Sequence, residues 1–270
     1  MTIPELARLS LNQITTENYS LQETVDACAA EGVGWLGAWR HKIEPVATAA
    51  RIIEDAGLRV SSLCRGGFFP AATGSERKER VQDNLRAIDE AAALGAELLV
   101  LVSGPAPDRD LDAARAMVLD GLGQIVDHAQ KCGVRLGIEP LHPMYAAERA
   151  VVVTLQQAND IAFQFDAATV GVVLDVYHTW WDPQVYVEIA RAGRRIFAFH
   201  VSDWMVATNS MLMSRGMMGQ GVIEIRRLRQ AVEEAGYKGP IEVEIFNEEI
   251  WRTAVRQTIQ NVRKCYLESV

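Results

Sequence analysis

Four apolar runs in the C-terminal half of the chain carry, at or near their ends, a residue able to bind a metal or move a proton. Val134–Glu139 ends in Glu139, Val170–Asp175 in Asp175 and Ile196–His200 in His200, and Ile241–Phe246 carries Glu244. Read as strands, Leu136 and Ile138, Val172 and Leu174, Phe197 and Phe199, and Val243 and Ile245 form one face, and the four polar residues share the other. Three carboxylates drawn together repel one another and are pushed toward protonation unless a cation sits among them. Three oxygen donors plus one imidazole suit a single divalent ion such as Mn²⁺, Mg²⁺, Co²⁺ or Zn²⁺, and the donor set does not choose among these. A lone Glu ending a strand more often meets solvent or an arginine; four such ends in succession point to a metal site.

Placing those residues together requires strands that all end on one side. Amphipathic segments stop at Gly32, Gly57, Gly95, Gly133, Gly193 and Gly236, and an apolar run follows each within four residues, the pattern of a helix closed by a left-handed glycine before a strand. Ser20-Leu21-Gln22-Glu23 and Thr154-Leu155-Gln156-Gln157 read as capping boxes. Val81, Leu85, Ile88, Ala92 and Leu94 give the segment between Ser75 and Gly95 one buried helical face. Strands are expected at Leu9–Gln13, Val33–Ala38, Arg59–Cys64, Leu98–Ser103, Val134–Glu139, Val170–Asp175, Ile196–Val201 and Ile241–Phe246. The sixth is entered without a glycine, through Phe165-Asp166-Ala167-Ala168. Eight strands alternating with helices, with no composition break, predict one domain over residues 1–270 folded as a closed (β/α)₈ barrel. In such barrels the chemistry sits at the C-terminal ends of the strands.

Within that frame Gly137 and Ala198, two positions below Glu139 and His200, are expected to leave space beneath the site. Glu242 shares the face of Glu244 but lies deeper, and a pairing with Arg135 across the barrel floor is expected. His41 and His128 read as structural or surface residues. Trp35 or Trp39, after the second strand, is placed to stack on a ligand or to fill a gap.

Composition narrows the function. The 270 residues include 27 Lys and Arg against 35 Asp and Glu, a formal net charge of −8. A surface that tracks phosphates needs the opposite balance, so no nucleic-acid partner is expected. The start of the chain has no apolar core behind a basic segment, and no later run approaches the ~20 apolar residues of a membrane span. A cytoplasmic protein without a membrane partner is expected. Cys28, Cys64, Cys132 and Cys265 stand far apart with no CxxC and read as reduced thiols. Neither GxGxxG after the first strand nor GxxxxGK[ST] occurs, which removes the main support for a nucleotide-binding fold.

Five segments carry a family likeness: Gly137-Ile138-Glu139-Pro140-Leu141-His142-Pro143, Leu174-Asp175-Val176-Tyr177-His178, Phe199-His200-Val201-Ser202-Asp203, Arg215-Gly216-Met217-Met218-Gly219-Gln220-Gly221 and Glu242-Val243-Glu244-Ile245-Phe246. In order and spacing they resemble the xylose-isomerase-like barrels, a family that includes sugar phosphate isomerases and epimerases, ketose 3-epimerases, hydroxypyruvate isomerases and inosose isomerases or dehydratases. The N-terminal half matches mainly in its alternation of elements. The resemblance implies that Glu139, Asp175, His200 and Glu244 are the ligands of one divalent metal, with Glu139 and Glu244 doubling as an acid/base pair on opposite faces of the substrate. It also implies that His178 and Arg215 bind substrate, with His142 as a further contact or a rim residue. The residue chemistry fits: proton abstraction next to a carbonyl needs a carboxylate base and a Lewis acid for the developing enediolate oxygen. For His178 the alternative role is to orient Asp175, and for Arg215 a solvated loop charge.

Five of the eight methionines fall between Met205 and Met218, with Trp180, Trp181 and Trp204 in nearby loops. They suit an adaptable apolar lid, ordinary loop packing or a subunit contact in a homo-oligomer. Gln220 stands where related loops carry an acidic residue, and Glu224 where an Asp is common. Endonuclease-type relatives carry additional His ligands on early strands, whereas here Cys64-Arg65-Gly66-Gly67 and Ser103-Gly104-Pro105 end the third and fourth.

The expected activity is therefore a metal-dependent isomerase or epimerase acting on a small ketose or keto-polyol through an enediolate. A dehydratase of the inosose or dehydroshikimate type on the same site is the alternative. An abasic-site endonuclease relative and a non-catalytic ligand-binding barrel come after it. With few basic residues near the mouth beyond Arg215 and Arg65, an unphosphorylated substrate is expected.

Overall fold

The computed structural model describes residues 5–270, and within them eight parallel strands close into a barrel. They are Leu9–Asn12, Trp35–Trp39, Arg59–Gly67, Leu98–Val102, Arg135–Glu139, Val170–Asp175, Ile196–Val201 and Ile241–Val243. Each pairs with its neighbours in chain order, and the eighth closes the ring on the first through Leu9–Ile241 to Leu11–Val243. Outer helices Leu21–Ala30, Val46–Asp55, Gly74–Leu94, Leu111–Cys132, Leu155–Ala162, Val185–Ala192, Ile225–Glu234 and Val255–Ser269 bury their apolar faces on the ring. The chain folds as the (β/α)₈ barrel that its alternation implies, and among the described residues no helix is long and apolar enough to cross a membrane.

Local signals set the junctions. All six expected cap glycines adopt positive φ. Ser20 and Glu23 form a reciprocal capping box, and so do Thr73 and Glu76 at the start of the third outer helix. At Thr154 only half of the expected box forms: its hydroxyl accepts from Gln157 N–H, but Gln157 Oε1 reaches back to Val153 N–H instead. The entry to the sixth strand uses Asp166, whose Oδ1 accepts from Ala168 N–H at 2.7 Å, a side-chain turn in place of a glycine.

Two expectations about the barrel interior fail. Phe197 does not share the outer face with Phe199. The register between the sixth and seventh strands shifts at Val172/Val173, and Phe197 becomes an additional residue that turns into the lumen with Leu98, Val100, Val173 and Ala198. Gly137 does not leave free space, because the Val173 and Leu98 side chains occupy it: a Cβ there would lie 2.7 Å from Val173 Cγ2. The floor beneath the site is packed.

Candidate metal centre and active site

Glu139 and Asp175 close their strands, His200 stands one residue before the end of the seventh, and Glu244 follows the eighth directly. Glu244 N–H still donates to Val201 O at 3.1 Å, so the backbone beyond the ladder remains in strand-like register. One donor atom from each of these four residues lies within 4.8 Å of the other three, and all four side chains are buried. His200 Nδ1 stands 3.6 Å from Glu139 Oε1. Glu139 Oε1 and both His200 ring nitrogens are buried without a hydrogen-bond partner. Unsatisfied buried donors and acceptors are costly, so atoms left this way around one point fit a bound cation. Glu139, Asp175, His200 and Glu244 could together hold one.

The electrostatics lean the same way. Burial pushes the Asp175 and Glu244 carboxyls above their ordinary pKa, and the Arg215 guanidinium opposes that rise. Burial alone would lower the His200 imidazole, but the Glu242, Glu139 and Glu244 carboxylates outweigh it and hold its pKa at about 10. The cluster is short of positive charge.

Arg215 leaves its loop and enters the same cluster. Its Nη1 donates to Asp175 Oδ2 and Glu244 Oε2, both at 2.9 Å, and its Nη2 lies 3.1 Å from His178 Nε2. His178 Nδ1 accepts from His142 N–H at 3.2 Å. Both His178 nitrogens thus face N–H donors, and burial, then the Arg215 charge, pushes the ring well below its usual pKa. His142 reaches the site through its backbone; its ring lies against Trp181 and Trp204. Trp39, not Trp35, faces the pocket, and its indole N–H donates to Asn12 Oδ1 at 2.7 Å. Trp35 lies beneath Arg59, whose Cζ is 3.7 Å from the ring centre.

The loop that carries Arg215 is tied down at several points. Asp203 accepts four backbone N–H bonds, from Trp204, Gly219, Gly221 and Ile223. Gln220, the departure from an acidic residue, accepts from Met217 N–H at 3.0 Å. Met217 and Met218 are core residues, whereas Met211 is exposed and offers its carbonyl to the Tyr145 and Tyr177 hydroxyls. Leu212 lines the pocket beside Glu139, His178, Arg215 and Glu244. The cavity that these side chains enclose is small, about 50 Å³.

A family model described as xylose isomerase-like TIM barrel matches residues 25–265. The chain belongs to that family. Over 98% of both chains, at a TM-score of 0.95 and 44% identity, it is similar to the crystal structure of protein SMc04130 from Sinorhizobium meliloti 1021. A structure of the IolI protein with a bound zinc atom shares the fold, at a TM-score of 0.86 and 22% identity over 97% of both chains. Among curated proteins, 3-dehydroshikimate dehydratase of Pseudomonas putida KT2440 is 30% identical over 88% of this chain and 38% of its own length. Inosose isomerase of Bacillus licheniformis is 22% identical over 97% of this chain and 98% of its own. The chain spans about two fifths or less of the length of the dehydratases it matches. Its relatives in the family are enzymes, namely isomerases, epimerases and dehydratases.

Several residues of this xylose-isomerase-like site escape the sequence reading. Glu242 does not pair with Arg135, which instead meets Glu97 at 3.1 Å and lies over the Phe197 ring. The Glu242 carboxylate accepts from Asn12 Nδ2 at 2.6 Å, Ser61 Oγ at 2.7 Å and Ser62 Oγ at 3.0 Å, and stands 3.6 Å from His200 Nε2. A carboxylate there fixes the imidazole so that Nδ1 faces Glu139, the arrangement that supports a metal-binding histidine from behind. Asn12 also reaches Glu244 Oε1 at 3.4 Å. Asn12 ends an apolar strand, so the rule that found Glu139 would have found it; the serines gave no signal. His41 pairs with Glu17, and His128, on the outer helices, stands 2.7 Å from Asp89 Oδ1 and 3.7 Å from Cys132 Sγ.

Gly37 makes room for this network. A Cβ there would lie 2.1 Å from Glu242 Oε1 and 2.4 Å from its Cδ. The carboxylate is held by three hydroxyl and amide donors and cannot swing aside without breaking them. Gly37→Ala is expected to cost about 2–4 kcal/mol, seen in urea unfolding as a lower midpoint with an unchanged slope. A midpoint within error of wild type would show that Glu242 is free to move.

Proposed function

We propose that this protein is a divalent-metal-dependent isomerase or epimerase of small ketoses or keto-polyols. The observation that carries the reading is the convergence of three buried carboxylates and one imidazole, with unpartnered atoms, in a pocket shared with His178 and Arg215. A cation bound there would act as a Lewis acid toward a carbonyl oxygen and so acidify the adjacent C–H. Glu139 ends strand five and Glu244 directly follows strand eight, and one removes that proton while the other returns a proton from the opposite side. Burial raises the Glu244 carboxyl above its ordinary pKa, against the pull of Arg215, the direction that suits a base. A substrate oxygen inserted between Arg215 Nη2 and His178 Nε2 would relieve two facing donors, which supports both residues as substrate contacts.

A dehydratase is the second reading, favoured by the 30% identity to a 3-dehydroshikimate dehydratase. The same base would take the proton, and the second carboxylic acid would protonate the departing hydroxyl, releasing water and leaving a conjugated carbonyl. Incubation with Mn²⁺ or Co²⁺ and a panel of ketopentoses, ketohexoses and inososes, together with ketose phosphates and carboxylated keto-polyols, in deuterated water tests both. Deuterium next to the carbonyl with a new sugar isomer supports the isomerase, and a new ultraviolet-absorbing enone supports the dehydratase. Neither product from any member of the panel, with Mg²⁺ and Zn²⁺ also tried, would remove the reading.

A further inference from the structure

The pocket has a basic side that the reaction proposed above does not use. Arg65, at the end of the third strand, and Arg149, in the loop after the fifth, line it together with Glu139 and Glu244. Both are half-buried. The other arginines around the barrel mouth are neutralised: Arg40 by Asp83 and Glu90, and Arg215 by Asp175 and Glu244. Among the described residues neither Arg65 nor Arg149 has a carboxylate partner. Each guanidinium lies over an aromatic ring instead, Arg65 at 4.1 Å from the centre of Phe68 and Arg149 at 5.7 Å from that of Tyr145. Burial and the neighbouring Arg149 charge lower the Arg65 pKa, so the two cations repel one another across a partly desolvated space.

Two guanidiniums without a carboxylate partner, in one pocket with the Glu139 and Glu244 carboxylates that repel anions, select the orientation of a charged ligand. The aromatic rings beneath them hold the forks in place, and a guanidinium matches a carboxylate or phosphate through paired N–H bonds. We infer that the substrate of this site carries an anionic group, a carboxylate or a phosphate, that is bound by Arg65 and Arg149 while its hydroxy-ketone end faces Glu139 and Glu244. This rests on the pocket being a substrate site, and it extends the expectation of an unphosphorylated substrate to a sugar acid, a carboxylated keto-polyol or a sugar phosphate.

The test is equilibrium binding to the metal-loaded protein of three matched probes: dihydroxyacetone, hydroxypyruvate and dihydroxyacetone phosphate. They share a hydroxy-ketone and differ in carrying no charge, a carboxylate or a phosphate. Wild type is expected to bind at least one anion about tenfold or more above the neutral probe, and the favoured anion identifies the group. Arg65→Met and Arg149→Met should each erase most of that preference while changing the affinity for dihydroxyacetone less than threefold. Arg149→Gln, in a loop and outside the barrel strands, repeats the measurement should Arg65→Met fail to fold. Equal binding of all three probes by wild type, or a preference that survives in Arg149→Met and Arg149→Gln, overturns the inference. Because the readout is affinity, an arginine-dependent preference without any deuterium exchange would sink the enzymatic reading alone.

Discussion

His200→Ala is expected to reduce the divalent metal that co-purifies with the protein from about one equivalent to a trace, with affinity falling at least about a hundredfold. The imidazole is the only nitrogen donor of the four, and it stands between two carboxylates, 3.6 Å from Glu139 and 3.6 Å from Glu242. Its removal leaves a hole where a metal donor had been. Glu139→Gln should have the same direction, since it neutralises a donor whose Oε1 has no other partner. Elemental analysis after dialysis against Mn²⁺, Co²⁺ or Zn²⁺ reads the outcome directly. Wild-type protein that holds no metal under any of these conditions would return the four residues to being buried polar groups, and full occupancy in both variants would place the ion elsewhere.

Glu244→Gln is expected to lower turnover by about 10²–10⁴-fold, the usual worth of a positioned acid or base. The amide is nearly the same size, keeps the contact with Asn12 and Arg215 possible, and cannot accept a proton. The change in kcat should far exceed the change in KM, because the proton moves only as the transition state forms. Single-turnover kinetics with the substrate found by the deuterium panel separates this from a defect in binding. A barrel that merely bound its ligand would lose affinity without a distinct effect on rate. Partial retention of metal in Glu244→Gln, checked alongside, keeps the two losses apart.

Most of the ring and its upper rim can be read from the residues, because both rest on period-2 alternation and on glycine stops. Glu139, Asp175, His200 and Glu244 each sit where an apolar strand meets the mouth, and strand order alone brings them within reach. What alternation does not carry is who stands across the lumen. Alternation puts Glu242 on the inner face, yet its partners are set by Gly37, Ser61 and Ser62, which lie on strands two and three and carry no charge to announce themselves. Arg149 and Tyr145 belong to a loop without periodicity, and only the fold shows that this loop bends over the pocket. The shift at Phe197 escaped for the opposite reason: its residues are all apolar, so either register satisfies the pattern.

That shift at Phe197 makes the seventh strand modular. Below it, Phe197 packs the floor; above it, Ala198, Phe199 and His200 resume their alternation in register with Val173, Leu174 and Asp175. A one-residue change in length in an unbroken strand would rotate every side chain beyond it to the other face. Here the irregular residue can absorb such a change, so the floor is able to diversify, in evolution or by design, without turning the histidine away from the chemistry it serves.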